Sequence, residues 1–383
     1  MLPLYQTKEH TFPPLEQANR GLRFEKFFDV YSIDWRVDDN KTEFLKDITN
    51  GLCGNKKQLE RATLQQMSLS QSQQGNGKVY QLDGHFVTGM GNSHPVENGF
   101  LWHYTLGVPY LSGSQVKGLV RSLIEQYYQA DDKDNLLIKW FGSVNKGDVS
   151  TSAGELVFFD ALPTEQPTLT VDIMTPHQDK WYSEGGKITD VNNDSDKIPA
   201  DWHEPTPIPF LAVKKASFLF SIAKRSKSDI DINEVFNCLD KALTYCGAGA
   251  KTQTGYGFMS FDKKATNNLA EIINEQHQKE QKEKALQEAK SNASELHAQL
   301  LDDIAKNNWR ESNDTVKQHF TDSLKSKWLE QLENNADDKG CIGLFFEIAN
   351  IHYAKQIKNP HNKKVKEHQR EWILRLLALV EDK

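Results

Sequence analysis

The feature that most constrains this chain is its near-total loss of chain breakers after Asp262. Of 23 glycines only Gly340 and Gly343 lie beyond that point, and of 13 prolines only Pro360. The stretch is rich in Gln, Glu, Lys, Ala and Leu, residues that favour helix. Without breakers it cannot supply the tight turns of a sheet, so residues 263–383 are predicted to be helical. Leu286, Ala289, Ala293, Leu296, Leu300 and Ile304 recur at three- and four-residue steps, the stripe of an amphipathic helix. Val316, Phe320, Leu324 and Trp328 make a second stripe, and Ile342–Tyr353 and Trp372–Val380 two more. Four or five helices in a small bundle are expected. The polar Glu275–Lys284 reads either as a solvated helix or as a linker.

Residues 1–262 have the opposite character, with most of the glycines and short alternating runs. In Val79–Gly89, residues Tyr80, Leu82 and Phe86 share one face, as in a strand. Ser114–Tyr128 places Val116, Leu119, Val120, Leu123, Ile124 and Tyr127 at helical spacing. Glu155–Phe159 reads as a strand, and a Pro- and Gly-rich excursion fills about residues 163–209. Phe210–Ala223 then alternates as one strand, Ile232–Cys246 reads as a helix, and a glycine-rich loop leads into a short strand, Phe258–Phe261. The order β-α-β-(insert)-β-α-β predicts an α+β, ferredoxin-like domain of the kind found in RNA-recognition motifs. Ahead of it, Thr42–Gln66 reads as helix and Ser68–Gln74 as a low-complexity loop.

Charge and cysteine content exclude several classes. Of 46 basic and 53 acidic residues, 20 of each lie beyond Asp262, so the net −7 belongs wholly to residues 1–262. That excludes a general basic coat for nucleic acid but leaves room for a local basic groove. Cys53, Cys238, Cys246 and Cys341 show no CxxC spacing, which predicts reduced thiols. No apolar run approaches the roughly 18 residues of a membrane span. The opening MLPLYQTKEH lacks the pattern of a secretory signal, so a cytoplasmic protein is expected. The histidines His85, His94, His103, His177 and His203 form no HExxH or other paired-ligand spacing. No catalytic residue, metal or cofactor is predicted, although His177 or His203 is the place to look for a general base.

Four segments carry binding chemistry. Pro109–Arg121, PYLSGSQVKGLVR, opens a helix at a Ser/Gly turn, where free N–H groups suit an anion. Lys117 and Arg121 share one face at i,i+4; an ordinary capped helix with a solvated basic face fits equally. Gly247–Gly257, GAGAKTQTGYG, allows close backbone approach to a ligand, with Lys251, Thr252 and Tyr256 on hand; a structural turn is the alternative. Ala250 stands before Lys251, and the loop joins helix to strand, so it is not a nucleoside-triphosphate loop. The excursion carries Met174, His177, Trp181 and Tyr182, able to cap or unstack bases, and the acidic run Asp190–Glu204. A flexible acidic surface loop remains open. Lys214, Lys215, Lys224, Arg225 and Lys227 add a local +5, or a solvated strand edge.

Together these segments are more specific than singly. Pro109, Ser112, Gly113, Ser114, Lys117, Gly118 and Arg121, with Gly249, Lys251, Thr252, Gly255, Tyr256 and Gly257, resemble the first-helix motif and terminal glycine-rich loop of the repeat-associated mysterious proteins (RAMPs) of CRISPR systems. The stretch from Gly91 to Tyr110 and the DIMTPH segment are similar to the RAMP that ends the backbone of type III-B (Cmr) effector complexes. The resemblance covers about residues 20–262 and leaves 263–383 unmatched. It implies a ferredoxin-like, RNA-binding backbone subunit with no catalytic role. Its RNA-binding residues would be Ser112, Gly113, Ser114, Lys117, Arg121, Gly249, Lys251, Thr252, Gly255, Tyr256, Met174, His177 and Trp181. The excursion would act as a thumb. Guide RNA, target RNA, neighbouring RAMP subunits and the small helical subunit of the complex are the implied partners, with no membrane. A RAMP endoribonuclease acting on guide precursor or target RNA is the alternative. The family's target-cleaving Asp has no placed equivalent, since Asp29, Asp34, Asp38 and Asp39 fall in a region that does not align.

Overall fold

A computed structural model describes residues 18–32, 36–37, 40–143, 151–200, 202–225 and 228–381. The opening decapeptide, Asp34, Asp38, Asp39 and Lys227 lie outside the described residues. The elements run α1 (Arg20–Lys26), α2 (Asn40–Thr49), α3 (Lys56–Ser72), β1 (Asn76–Leu82), α4 (Gly113–Tyr127), α5 (Lys133–Phe141), β2 (Leu156–Phe158), β3 (Leu162–Pro163), β4 (Thr168–Met174), α6 (Asp179–Glu184), β5 (Ile208–Lys215), β6 (Ser217–Lys224), α7 (Ile232–Lys241) and β7 (Met259–Phe261). The helices α8 (Lys263–Ser291), α9 (Glu295–Lys306), α10 (Asp314–Ser323), α11 (Leu329–Asn334), α12 (Lys339–Lys358) and α13 (Glu367–Glu381) follow. The chain divides into two compact units, Met1–Ile273 and Asn274–Lys383.

In the first unit the strands form an antiparallel sheet in the order β2-β6-β1-β7, with β3 also against β6. Alternate residues of a strand face opposite sides. Tyr80, Phe218, Phe220 and Ile222 join the core that takes the buried stripes of α4 and α7. Val79 and Leu219 point the other way, to Met67 of α3 and Ile273 of α8. The sheet is therefore covered on both faces, which is why β6 is buried along nearly its whole length.

Several sequence expectations need correction. Phe210–Ala223 is two strands: β5 leaves the sheet to pair with β4, and β6 begins after Ala216. Apolar residues run unbroken through the junction, so no pattern marks it. The lysines that flank β6 are thus split, with Lys215 before its first residue and Lys224 its last, roughly 25 Å of strand apart. Ser68–Gln74 is not a loop for most of its length, because α3 continues to Ser72 with Met67 and Ser70 buried. Thr42–Gln66 is broken at Gly51 and Gly54, both at positive φ. The excursion begins with β4, so its base is a β-hairpin whose tip holds α6. Helices α1 and α5 were not anticipated.

The second unit is helical throughout its elements, with Leu300, Trp309, Phe320, Trp328, Phe345 and Trp372 among its buried residues. The stripe Leu286–Ile304 is split: α8 ends at Ser291, and Ser294 caps α9 by accepting from the His297 N–H at 3.1 Å. Its second half enters the core, while Ala289 stays exposed. Among the described residues the cysteines are free, and no helix is long and apolar enough to cross a membrane.

Candidate nucleic-acid interface

The first turn of α4 is closed by its own chain. Ser112 Oγ accepts from Gln115 N, and Gln115 Oε1 accepts from Ser112 N at 2.9 Å, a reciprocal capping box. Ser114 Oγ lies 2.9 Å from Ser112 Oγ. The Gly113 N–H donates to Asp160 Oδ1 at 2.7 Å. The helix start therefore already holds a carboxylate, which corrects the expectation of free N–H groups there. A Cβ on Gly113 would stand 2.2 Å from the Phe158 carbonyl, so helix and strand meet here only through glycine.

Lys117 and Arg121 are tied as well. Lys117 Nζ donates to the Phe141 carbonyl at 2.8 Å, where a cation suits the end of α5. Arg121 Nε donates to Glu125 Oε1 at 2.7 Å. Asp29, one of the four aspartates left unaligned, pairs with Arg23 at 2.8 Å.

The glycine-rich loop is pinned to the chain after β1. Ala250 N donates to the Val87 carbonyl at 2.8 Å, Gly257 N to the His85 carbonyl at 2.7 Å, and Ala248 N to the Gly257 carbonyl at 2.8 Å. Gly249 has φ +84°, and a Cβ there would lie 2.2 Å from the Val87 carbonyl. Gly255 is also left-handed, at φ +94°, but faces open space. Between them Lys251 itself adopts φ 59°, and its ammonium sits 5.3 Å from the Phe210 ring centre. Thr252 opens a short 3-10 turn, Thr252–Thr254.

The base of the β4–β5 hairpin meets this loop. Tyr256 donates its hydroxyl to Asp172 Oδ2 at 2.6 Å, and His85 Nδ1 lies 3.4 Å from the same oxygen. Partial burial opposes charge on Asp172. The Tyr256 hydroxyl, the Ile173 N–H and His85 outweigh it and hold the carboxyl below its usual range. Burial, then the bond to Asp172, pushes the Tyr256 hydroxyl up to about 12. Met174 packs with Val87, Phe210, Ala250 and Tyr256, so it belongs to the hairpin's base. Met174 is thereby set apart from His177, Trp181 and Tyr182, with which the sequence reading placed it; its strand neighbour Ile173 faces the other way and is exposed. At the tip His177 is exposed, near the His203 carbonyl, and the Trp181 ring lies against Gly185. Tyr182 and Trp202 are still more exposed than Trp181.

α4 and the loop form two walls of one cleft of about 630 Å³. Gln115, Ser122 and Gln126 line one side, and Cys246, Gly249 and Thr252 the other. Lys117, Arg121 and Lys251 do not line it. Of the predicted site residues only Gly249 and Thr252 line the cleft; the first-helix motif reaches it through Gln115, Val116 and Leu119, Met174 joins Tyr256, and His177 and Trp181 stay at the hairpin tip. Sequence reasoning missed Asp160 and Phe210 and gave no role to Asp172 or His85. Their partners are distant in the chain, and only the quoted DIMTPH segment signalled one of them. Among the described residues no group of three or more His, Cys, Asp or Glu could hold a metal ion.

The first unit thus sets a helix–loop cleft on a two-sided antiparallel sheet, with the β4–β5 hairpin against the loop. Residues 79–260 match the RAMP superfamily. Among curated proteins it is similar to the CRISPR system Cmr subunit Cmr6 of Pyrococcus furiosus, at 27% identity over 237 residues, covering 46% of this chain and 65% of that one. It is 26% identical over 170 residues to the Cmr6 subunit of Saccharolobus solfataricus, covering 44% of this chain and 50% of that one. The chain thus spans less than two thirds of either relative. Among solved structures, a chain of the type III-B Cmr-beta complex bound to cognate target RNA matches 58% of this chain and 71% of its own, at 19% identity and TM-score 0.41. The crystal structure of Cmr6 from Pyrococcus furiosus matches 49% of this chain and 98% of its own, at 25% identity and TM-score 0.28.

Proposed function

We propose that this chain is a non-catalytic, RNA-binding backbone subunit of a type III-B CRISPR effector complex, holding the 3′ region of a guide RNA and the guide–target duplex. The observation that carries the reading is the meeting of the two RAMP motifs across one cleft, α4 on one side and the glycine-rich loop on the other. The strand order β2-β6-β1-β7, with α4 and α7 as the two crossovers, supports a ferredoxin-like RAMP domain. The hairpin rooted on Tyr256 supports a thumb. Guide RNA, target RNA, neighbouring RAMP subunits and a small helical subunit are the partners proposed. The start of α8 packs on the sheet of the first unit, and the chain from Asn274 on forms a second compact unit to which this reading assigns no role.

A His-dependent RAMP endoribonuclease is the second reading, and the observation on its side is His85 beside Asp172. One experiment separates the two. The full chain is titrated into labelled repeat RNA, with and without divalent metal, and both binding and cleavage are followed. Saturable binding without cleavage is expected. Specific cleavage lost in His85→Ala would establish the enzyme instead, and absence of binding would end both readings.

A further inference from the structure

Charged residues make up 26% of the chain, yet among the described residues that line the α4–loop cleft none is Asp, Glu, Lys or Arg. A wall of that kind is not built for phosphate, which calls for Arg, Lys or open helix N–H groups. Here the first turn of α4 is occupied by Ser112 and Asp160, and the Lys251 ammonium lies over Phe210, outside the cleft. What the cleft presents is neutral hydrogen-bonding capacity. The side chains of Gln253 and Thr252 have no hydrogen-bond partner among the described residues. Gln126 is committed only to Ser122, at 3.1 Å. Tyr127 and Tyr245 are 66% and 75% exposed, and both are lining residues. A side-chain amide both donates and accepts, as the edge of a base does, and a tyrosine ring offers a stacking face. The volume of about 630 Å³ lies in the range that encloses small organic groups.

We infer that this cleft takes a single unstacked nucleobase of the bound RNA, with Gln253 and Gln126 reading its hydrogen-bonding edge. The inference rests on the RNA-binding reading above and adds to it: the chain discriminates bases at one position, while phosphate contacts lie elsewhere. Lys251 then serves the backbone and the cleft serves the base. Both glutamines are exposed, so their replacement leaves the core intact.

The test measures affinity of the full chain for fluorescein-labelled oligo(A), oligo(C) and oligo(U) by anisotropy at several salt concentrations. Gln253→Ala, Gln126→Ala and Lys251→Ala are run alongside. Each glutamine variant is expected to shrink the ratio between best and worst homopolymer by about five-fold, the worth of one hydrogen bond, with an unchanged salt slope. Lys251→Ala should flatten the salt slope and keep the ratio. Binding of all three RNAs with equal affinity overturns the inference and leaves the RNA-binding reading standing. So does a ratio that both glutamine variants preserve. Failure to bind any of the three removes the RNA-binding reading and the inference with it.

Discussion

Lys117 and Lys251 look alike in the sequence, one basic residue beside each motif, and the structure predicts that they behave differently. Lys117 is half-buried, and its ammonium donates to the carbonyl at the end of α5. A hydrogen bond from a charged group is worth about 1.5–3 kcal/mol net. Lys117→Ala should therefore destabilise the first unit by about 2 kcal/mol. At about 2–4 °C per kcal/mol for a unit of this size, its melting transition should fall by about 4–8 °C. Among the described residues the Lys251 ammonium lies only against the Phe210 ring, a contact worth about 0.5–1 kcal/mol. Lys251→Ala should lower the transition by no more than about 4 °C. In RNA binding the order reverses. Losing one phosphate contact flattens the log–log salt slope by about 0.7 for a single strand. Lys251→Ala should show that change, and Lys117→Ala should leave the slope alone. Melting followed by circular dichroism, with salt-dependent anisotropy, reads both quantities. A Lys117→Ala chain that melts like wild type and loses as much salt slope as Lys251→Ala would refute the reasoning.

Truncation should distinguish the break in composition from the break in packing. Leu269 and Ile273 of α8 pack on Met67, Val79 and Leu219, and Thr266 Oγ1 accepts from Val79 N at 2.8 Å. A chain ending at Asp262 should lose at least about 3 kcal/mol in denaturant melts against one ending at Ser291. Equal midpoints would assign the core to residues before 263. The lowered pKa of Asp172 gives a pH dependence of definite sign: its stabilisation is complete above the ordinary carboxylate value of about 3.9 and is lost as pH falls through the lower folded value. The difference in melting temperature between wild type and Asp172→Asn should shrink from about pH 6 to about pH 3; a constant difference would dismiss the Asp172 clamp. At the hairpin tip Lys180 pairs with Asp196, and Lys197 with Asp194 and Glu184, whereas Lys187 has no ion pair among the described residues. Trypsin should cut first after Lys187, and guide–target duplex should slow that cut; equal rates would detach the tip from nucleic acid.

What could be read in the sequence was what a two-sided layer imposes locally. Val116, Val120 and Ile124 of α4, and Val235, Phe236 and Leu239 of α7, must face the sheet, so their spacing announces both helices. The junction at Ala216 could not be read in this way. A strand that changes partner but stays buried keeps its apolar run, and only the register of β4 against β5 reveals the switch. The glutamine- and serine-rich end of α3 concealed a helix for a related reason. Its buried face is Met67 and Ser70, the latter donating to the Met67 carbonyl at 2.8 Å, and neither spells out an apolar stripe. At the site, the glycines announced close backbone approach, and Gly249 and Gly113 each make one. The side chains that answer them come from far away in the chain. Asp160 meets Gly113 across 47 residues and Asp172 meets Tyr256 across 84. No local periodicity encodes a partner at that distance.

The acidic run of the hairpin poses an electrostatic difficulty for any segment offered to nucleic acid, and its contacts show how the difficulty is reduced. Asp194 accepts from Lys197 and from the backbone N–H groups of Thr189 and Asp190, in that order of effect, and its carboxyl is drawn down to about 2. Asp190 accepts from Asn192 N and Asn193 Nδ2, and Asp196 from Lys180. These carboxylates are spent on folding the tip on itself rather than left as a uniform negative face. They are solvent-exposed pairs, worth little individually and screened by salt. Their effect is therefore geometric more than energetic. They hold residues 189–197 in turns and occupy Lys180 and Lys197. Trp181 and Tyr182, on the short helix that carries Lys180, remain exposed. In the proposed RNA-binding role, a tip arranged in this way would offer rings and not charge, which is the mode a base-stacking contact requires. In the proposed role the positive charge for the backbone would come from elsewhere in the first unit, and Lys251 at the foot of the same hairpin is a candidate, since among the described residues its ammonium has only the Phe210 ring against it.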